Sequence, residues 1–197
     1  MDSKLNSSSF ASLKGHLLIS MPQMDDSRFQ KSVIFIGAHD SRGAMGLTIN
    51  KPLQTIAFAD VLEQVGVMSE RPLDPYIRSM GVRTGGPVEE SHGFLLHSAD
   101  FRQKDTILID DFFGISGTVD ALRTMVSGYR PERMIFTLGY AGWSAGQLEQ
   151  EMQDNIWLSV PASPELVFNT DPENMWENAF AILGISPGLL SASAGRA

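Results

Sequence analysis

Hydrophobic residues along this chain occur partly in short uninterrupted runs. Runs of this kind, bounded by proline, glycine or aspartate, are typical of strands buried in a sheet. The run at residues 17–21 ends at Pro22, and the run at 33–36 ends at Gly37. The same pattern predicts further strands at residues 47–50, 94–97, 106–109, 134–138 and 157–160.

Other hydrophobic residues recur with the spacing of an amphipathic helix. Positions 58, 61, 62 and 65 are apolar and follow the series i, i+3, i+4, i+7, and Gly66 stands where a glycine commonly ends a helix. Asp171 before Pro172 is typical of an N-cap followed by the first helical residue. Residues 69–81 hold two prolines and several charges, and they predict a loop. Helices are predicted at residues 58–65, 119–126, 144–155 and 171–183.

The order of these elements bears on the fold class. Strands cluster in the first half and alternate with helices in the second, which favours a single α+β or α/β domain around a mixed sheet. A chain of 197 residues, 43% of them hydrophobic, is long enough to bury one core. Because residues 1–12 are polar and serine-rich, we expect a disordered tail there and the domain at residues 13–197.

Charge limits the classes of partner. Lys and Arg number 15 against 23 Asp and Glu, which gives a formal net charge of -8. Nucleic-acid affinity depends on cationic side chains that displace counterions, so direct nucleic-acid binding is disfavoured. Arginines at positions 78 and 83 and at 123, 130 and 133 form two small basic groups, which we interpret as scattered surface charge.

Localisation and covalent chemistry follow from what the sequence lacks. Cysteine is absent, which excludes disulfides, thiolate metal sites and cysteine nucleophiles. The N-terminus has no basic segment followed by an apolar one, and no apolar run approaches the roughly 20 residues that cross a bilayer. We therefore expect a cytoplasmic protein with no membrane partner.

The segment GYAGWSAGQL at residues 139–148 supports two opposed interpretations. Its glycine-x-serine-x-glycine motif, centred on Ser144, lies between a predicted strand and a predicted helix, as the nucleophile elbow of a hydrolase does. Ser144 with Gln147 also fits a capping box, and Trp143 with Leu148 fits the hydrophobic staple that accompanies one. We favour helix initiation, for which Ser144→Ala would cost about 1 kcal/mol of stability.

The hydrolase hypothesis also needs a histidine to accept the serine proton and a carboxylate to orient that histidine. In α/β hydrolases the histidine follows the serine in the chain, whereas all four histidines here precede Ser144. A different fold could still bring His97 or His39 to Ser144, with an aspartate at position 40, 110 or 111 behind it. Hydrolysis by Ser144 or His97 is therefore an alternative hypothesis.

A ligand cleft is predicted where Tyr140 and Trp143 meet the turn at residues 85–87, because glycines permit close approach of the backbone. The histidines and aspartates match no standard metal-site spacing, and no phosphate-loop motif is present, so neither a metal nor a cofactor is predicted. The tryptophans at 143, 157 and 176 are otherwise expected in the core. The candidate ligand-binding residues are Gly85, Gly86, His97, Tyr140 and Trp143.

Several motifs occur in order along the chain, among them GHLLISMP at 15–22, GAMGLTINKP at 43–52, GGPV at 85–88, GFLLH at 93–97 and LGYAGW at 138–143. Together they resemble the YqgE/AlgH family of bacterial proteins, from about residue 13 onward. The resemblance implies a cytoplasmic α+β domain with a curved, mixed sheet flanked by helices. Some members carry the label of transcriptional regulator, and the family offers no agreed catalytic residues.

The chain departs from the family pattern at two positions. The family often has Glu-His-Asn where this chain has Ala38-His39-Asp40, and it commonly has another residue in place of Ser144. The leading hypothesis is a non-enzymatic cytoplasmic regulatory module that binds a protein or a small molecule. The alternatives are a hydrolase that uses Ser144 or His97 and a regulator that binds DNA directly.

Overall fold

A computed structural model describes residues 11–69 and 71–193 of the chain. Within these ranges, ten strands form one curled, mixed sheet. The strands are β1 (His16–Ser20), β2 (Val33–Asp40), β3 (Gly43–Thr48), β4 (Pro52–Ala57), β5 (Gly81–Thr84), β6 (Val88–Ser98), β7 (Ile107–Leu108), β8 (Phe113–Ser116), β9 (Met134–Ser144) and β10 (Trp157–Pro161).

The long strand β9 organises the sheet. The main path of hydrogen-bonded strands is β10-β1-β2-β3-β9-β6-β8-β7. The first half of β9 also pairs with β5, in parallel, and β4 lies beyond β5. The other described strand pairs are antiparallel. The prediction of a single α+β domain with a curved, mixed sheet flanked by helices is confirmed.

Helices cover the sheet in three places. Side chains of α1, α2 and α3 pack with Val82 and Phe136 of the sheet, and those of α5 and α6 pack over β1, β2 and β8. Leu148 of α4 packs with Trp143 and Trp157 in a third cluster of buried apolar side chains. The helices are α1 (Phe58–Gln64), α2 (Pro75–Ser79), α3 (Val119–Val126), α4 (Gln147–Gln153), α5 (Pro164–Phe168), α6 (Pro172–Ile182) and α7 (Pro187–Ser193).

The expected loop at residues 69–81 is wrong in part, because it contains α2. Asp74 accepts a hydrogen bond from the Tyr76 backbone N–H at 2.8 Å, and Pro75 is the first helical residue. The same two features begin α6, where Asp171 caps and Pro172 follows, as predicted. The short helix α2 therefore starts by the rule that the sequence displays more clearly at α6.

Two glycines near the start of β3 lie within the strand itself. Gly43 and Gly46 lie inside β3, where they pair with Ser144 and Ala141 of β9. A Cβ on Gly46 would come within 2.6 Å of the Ile34 side chain, so close packing of β2 on β3 is the reason for glycine there.

The predicted tail at residues 1–12 lies mostly outside the described residues. Ser12 is described, and its hydroxyl donates to the His39 carbonyl oxygen at 2.9 Å. Within the described part of the chain, no helix combines the length and the apolar character needed to cross a membrane.

Candidate functional site

The second half of β9 separates the candidate residues onto two faces of the sheet. Trp143 pairs with Ala44, which pairs with His39, so these three side chains share one face. Ser144 pairs with Gly43 on the opposite face. Because directly paired residues in an antiparallel sheet point the same way, Ser144 and His39 point apart.

The start of α4 differs from the predicted capping box. The N-cap is Gly146, with φ 76°, and the helix begins at Gln147 rather than at Ser144. Gln147 Oε1 does accept hydrogen bonds from the Ser144 backbone N–H at 3.0 Å and from Ser144 Oγ at 3.1 Å. Ser144 thus contacts Gln147, but it is the last residue of β9, because it pairs with Gly43 of β3.

Ser144 has no catalytic partner of the hydrolase type. In the described residues, its hydroxyl makes its hydrogen bond with Gln147, and no histidine contacts it. His39 accepts the Leu13 backbone N–H at Nδ1, 3.0 Å away, and its Nε2 lies 3.1 Å from Glu149 Oε1. Since Nδ1 accepts, Nε2 carries the proton and donates to Glu149.

His97 lies at the other end of β9, where it pairs with Met134. Ten residues of strand, on the order of 30 Å, separate that position from Ser144. The His97 side chain is fully buried and belongs to a chain of hydrogen bonds. The structure therefore does not bring His97 together with Ser144 or with the other candidate ligand-binding residues.

The hydrogen-bond chain at His97 has a fixed direction. The Gln103 backbone N–H donates to Thr106 Oγ1 at one end, and His97 Nδ1 donates to the Ser98 carbonyl oxygen at the other. Between them, Thr106 donates to Ser116, and Ser116 donates to His97 Nε2 at 3.0 Å. Burial lowers the pKa of His97, because the charged imidazolium loses its hydration. The neutral side chain therefore holds the β6–β8 region together.

Gly85 and Gly86 serve a close crossing of two backbone segments. The Gly85 N–H donates to the Leu138 carbonyl oxygen at 2.6 Å. A Cβ on Gly85 would collide with the Gly139 oxygen, and one on Gly86 would collide with the Tyr140 backbone. The predicted close approach is real, and β9 itself occupies the space beside both glycines.

Tyr140 and Trp143 lie beside this crossing but face opposite sides of β9. Tyr140 packs edge-on against Phe94, with ring centroids 5.9 Å apart, in a wide groove of about 680 Å³. Trp143 faces α4. The two spaces meet at Val88, Gly142 and Trp143, which line both the wide groove and the cleft beside α4.

That second space is the aromatic cleft, a depression of about 570 Å³ between α4 and the loop of residues 21–32. Its aromatic wall is a ladder of three rings: the Phe29 and Trp157 centroids are 5.8 Å apart, and those of Trp157 and Trp143 are 6.0 Å apart. Met21 and Met24 line the loop side. The volume and the apolar walls are those of a small-molecule or side-chain binding site.

Glu151 of α4 holds the two tryptophan rings of the aromatic wall in place. Its Oε2 accepts the indole N–H of Trp143 at 2.8 Å and that of Trp157 at 2.7 Å. Its Oε1 accepts Gln147 Nε2 at 2.9 Å. Hydrogen bonds to a carboxylate are stronger than neutral ones, so Glu151 fixes the positions of both tryptophan rings.

The rim of the cleft is acidic. Asp25 and Asp154 line it and are exposed, and Asp25 has no hydrogen-bond or ion-pair partner among the described residues. Asp26 pairs with Arg28 at 2.6 Å, and hydrogen bonds from Arg28 lower the pKa of the Asp26 carboxyl. Counting Glu151, four carboxylates and one guanidinium line the cleft, so its potential is negative.

Several of the arginines that suggested basic groups are engaged by acids. Arg123 pairs with Asp120 at 2.7 Å, and Arg130 lies 3.6 Å from Asp74. These pairings agree with scattered surface charge and form no phosphate-binding stripe. In the described residues, no three His, Asp or Glu side chains converge as metal ligands would.

Sequence reasoning found Trp143 and Trp157 but not the cleft between them. The ring of Phe29 and the carboxylate of Glu151 come from segments far apart in the chain, and only the fold brings them together. One signal was present: Gln147 and Glu151 are one helical turn apart, between the two tryptophans, so both were able to face them.

The curled, mixed sheet with α4 laid over the end of β9 defines a single α+β domain. The family model described as AlgH-like matches residues 17–188, and the chain belongs to that family. A UPF0301 protein of Rhodopseudomonas palustris is 50% identical over 190 residues, which cover 94% of this chain and 87% of that protein. A UPF0301 protein of Rhodospirillum rubrum is 44% identical over 185 residues, which cover 94% of this chain and 94% of that protein.

Solved structures share the fold. The solution structure of the AlgH protein of Pseudomonas aeruginosa matches with a TM-score of 0.77 at 39% identity, covering 98% of this chain and all of that one (100%). The crystal structure of a protein from Corynebacterium diphtheriae matches with a TM-score of 0.67 at 20% identity, over 92% and 93% of the two chains. The latter supports the fold alone.

Proposed function

We propose that this protein is a non-enzymatic binding module of the bacterial cytoplasm, and that its ligand occupies the aromatic cleft. The observation that carries this proposal is the combination of a fixed aromatic wall with an acidic rim. Trp143 and Trp157 are held by one carboxylate, while Asp25 and Asp154 stand exposed at the opening. Such a site suits a cation on an apolar body.

The chemistry of the wall supports a cationic ligand. Aromatic faces attract ammonium and guanidinium groups, and indole does so best. Because Glu151 already accepts three hydrogen bonds, the recognition charge comes from the rim carboxylates rather than from Glu151. The ligand is thus an organic ammonium or guanidinium, either a free molecule or a Lys or Arg side chain of a protein partner.

Any regulatory role of the protein would be exerted through the ligand bound in this cleft. A negative cleft in a chain of net charge -8 repels nucleic-acid phosphates, so a regulator of transcription with this structure would act on a protein or a small molecule. The hydrolase alternative has no supporting geometry, since Ser144 contacts Gln147 and points away from His39.

Calorimetric titration with phenethylammonium tests the proposal. We expect phenethylammonium to bind and phenylacetate, which has the opposite charge on a similar body, not to bind. The double variant Asp25→Asn/Asp154→Asn should weaken the binding about threefold to tenfold, as two exposed charge interactions would. Asp105→Asn changes one exposed carboxylate outside the cleft and should leave the affinity unchanged.

Two results would contradict the proposal. One is equal affinity for phenethylammonium and phenylacetate, which would remove charge from the recognition. The other is unchanged phenethylammonium affinity in the double variant, which would place the ligand elsewhere.

A further inference from the structure

A second pocket lies at the other end of β9, between β5 and the connection from α5 to α6. Its volume is about 360 Å³, and Met134 and Ile135 of β9 form part of its wall. Arg83 of β5 also lines it. Val82, the neighbour of Arg83 in the strand, packs under the helices α1 to α3, so Arg83 points to the opposite face, toward Phe168 and Pro172.

The Arg83 guanidinium is incompletely satisfied by the protein. One of its N–H groups donates to the Ile49 carbonyl oxygen. In the described parts of the chain, no carboxylate lies within ion-pairing distance of it, whereas carboxylates do pair with Arg28, Arg42, Arg123 and Arg130. A guanidinium has five N–H donors in a fixed fork, so most of those of Arg83 have no acceptor among the described residues.

Burial makes this arrangement costly. The surrounding protein lowers the pKa of Arg83 to about 10, because loss of hydration disfavours the charged form. Among the described residues, the half-buried guanidinium has one hydrogen bond, to Ile49, and a longer-range attraction to Asp171, so an anion that enters the pocket would offset the remaining cost of desolvation.

We propose that this pocket binds a small organic carboxylate, which accepts paired hydrogen bonds from the Arg83 guanidinium. The fork of an arginine matches the two oxygens of a carboxylate. Ile135 and Phe168, which lie on the same face of the sheet as Arg83, supply apolar surface for the body of the ligand. Tyr76 also lines the pocket, and its hydroxyl offers a further donor, whereas the Ser79 hydroxyl already donates to the Tyr76 carbonyl oxygen at 3.2 Å.

A monocarboxylate fits this site better than a phosphate. The pocket supplies one guanidinium, and the nearby N-terminus of α6 is already capped, since Asp171 accepts the Glu173 backbone N–H at 3.1 Å. The Asp171 carboxylate is also close enough to interact electrostatically with Arg83. A dianion would therefore meet repulsion from Asp171 that a monoanion meets less strongly.

This inference is independent of the aromatic cleft. The two sites lie at opposite ends of β9, and no residue lines both. Their preferred charges are opposite, so a titration with a cation and one with an anion report on them separately.

Titration of the full chain with benzoate, followed by amide and arginine side-chain NMR signals, tests the proposal. We expect benzoate to bind and to shift the Arg83 signals, and benzamide and inorganic phosphate to bind at least about tenfold more weakly, since neither offers a monoanionic carboxylate fork. Arg83→Met should abolish the binding. Arg83→Lys keeps the charge without the fork and should weaken it about fivefold.

Asp171→Asn distinguishes a binding role of Arg83 from a purely structural one. Asparagine still caps the helix, while the repulsive charge disappears, so benzoate affinity should rise about twofold to fivefold. Arg78→Met, a matched change at an exposed position of α2, should have no effect on benzoate. Circular dichroism confirms that each variant is folded, and Arg83→Lys and Asp171→Asn keep the test valid if Arg83→Met does not fold.

The proposal is overturned by absence of benzoate binding to the unmodified protein. It is equally overturned if Arg83→Lys and Asp171→Asn both leave the benzoate affinity unchanged. Tighter binding of phosphate than of benzoate would also overturn it, because the pocket would then select for charge rather than for a carboxylate on an apolar body.

Discussion

Charged and polar groups are exposed at one end of β9 and wholly or partly buried at the other. At the Ser144 end, the Glu151 carboxylate accepts hydrogen bonds from indole and amide donors, and the exposed carboxylates of Asp25 and Asp154 stand at the rim of an open cleft. At the Met134 end, His97 is buried in a closed hydrogen-bond chain, and the Arg83 guanidinium lacks an acid. The two proposals therefore place a site for cations at one end of this strand and a site for anions at the other.

The difference has a simple structural origin. The first half of β9 lies between β5 and β6 and is covered by helices, so polar groups beside it, such as His97 and Arg83, are partly or fully withdrawn from water. The second half pairs with β3, and α4 leaves an opening beside it. The open end therefore exposes its carboxylates, whereas the charge at the covered end, Arg83, lies half-buried in a pocket.

The largest effect is expected from removing part of the aromatic wall. Trp157 is 2% exposed and contacts both other rings of the ladder, so Trp157→Ala should cost about 3–5 kcal/mol of unfolding free energy. Urea unfolding measures it. Phe112→Ala, at a ring that is 59% exposed, should cost less than about 1 kcal/mol. Similar costs for the two variants would mean that the wall is not packed as described.

Removing the Glu151 carboxylate, which accepts both indole N–H groups, should have the next largest effect on the free energy of unfolding. Glu151→Ala leaves two buried indole N–H groups without an acceptor, and we expect a loss of about 2–4 kcal/mol. The matched control is Glu177→Ala at an exposed position of α6, which should change stability by less than about 0.5 kcal/mol. If both variants unfold at the same urea concentration, the hydrogen bonds to Glu151 contribute nothing to the stability of the fold.

The covered end should make the fold sensitive to acid. Burial lowers the pKa of His97 in the folded protein, whereas the unfolded chain titrates near the ordinary value of about 6.5. The unfolded state thus takes up the proton first, and the stability from neutral His97 is lost as the pH falls below about 6.5, by at most about 1.4 kcal/mol per pH unit. His97→Gln should flatten this dependence between pH 7 and pH 5.

Urea unfolding at several pH values measures that slope, and the exposed His92 provides the control. His92→Gln should keep the acid dependence of the unmodified protein. An unchanged slope in His97→Gln would place the acid sensitivity elsewhere.

The smallest effects concern the start of α4. Gly146 has φ 76° and open space around its Cβ position, so Gly146→Ala should cost about 1 kcal/mol from backbone strain alone. Ser144→Ala removes one exposed hydrogen bond and should cost about 0.5 kcal/mol or less. A larger cost for Ser144→Ala than for Gly146→Ala would restore Ser144 as the cap of the helix.

The sequence predicted elements best where the signal is local. At Asp171-Pro172 the cap and the first helical residue are adjacent in the chain, and α6 begins there. Asp74-Pro75 carries the same signal, but the short α2 behind it has little apolar periodicity, and the loop prediction prevailed. Local chemistry thus fixes where helices begin, whereas their length depends on packing.

The sequence failed where long-range pairing decides. The Ser144–Gln147 contact was expected and is present, yet pairing with Gly43 keeps Ser144 in a strand. Trp143 was correctly placed beside the turn at residues 85–87, while the loop that carries Phe29 was not expected near it. No pattern in one segment predicts which distant segment will cover it.

The most direct test of the account is the position at which phenethylammonium binds. The chain has three tryptophans, and their indole N–H signals in ¹H–¹⁵N NMR spectra can be assigned by single Trp→Phe variants. Trp143 and Trp157 line the aromatic cleft, whereas the Trp176 indole donates to the Ser20 carbonyl oxygen at 2.9 Å under α6. We predict that the first two signals shift during the titration and that the Trp176 signal stays in place. Shifts of Trp176 alone, or equal shifts of all three signals, would contradict a binding site at the Ser144 end of β9.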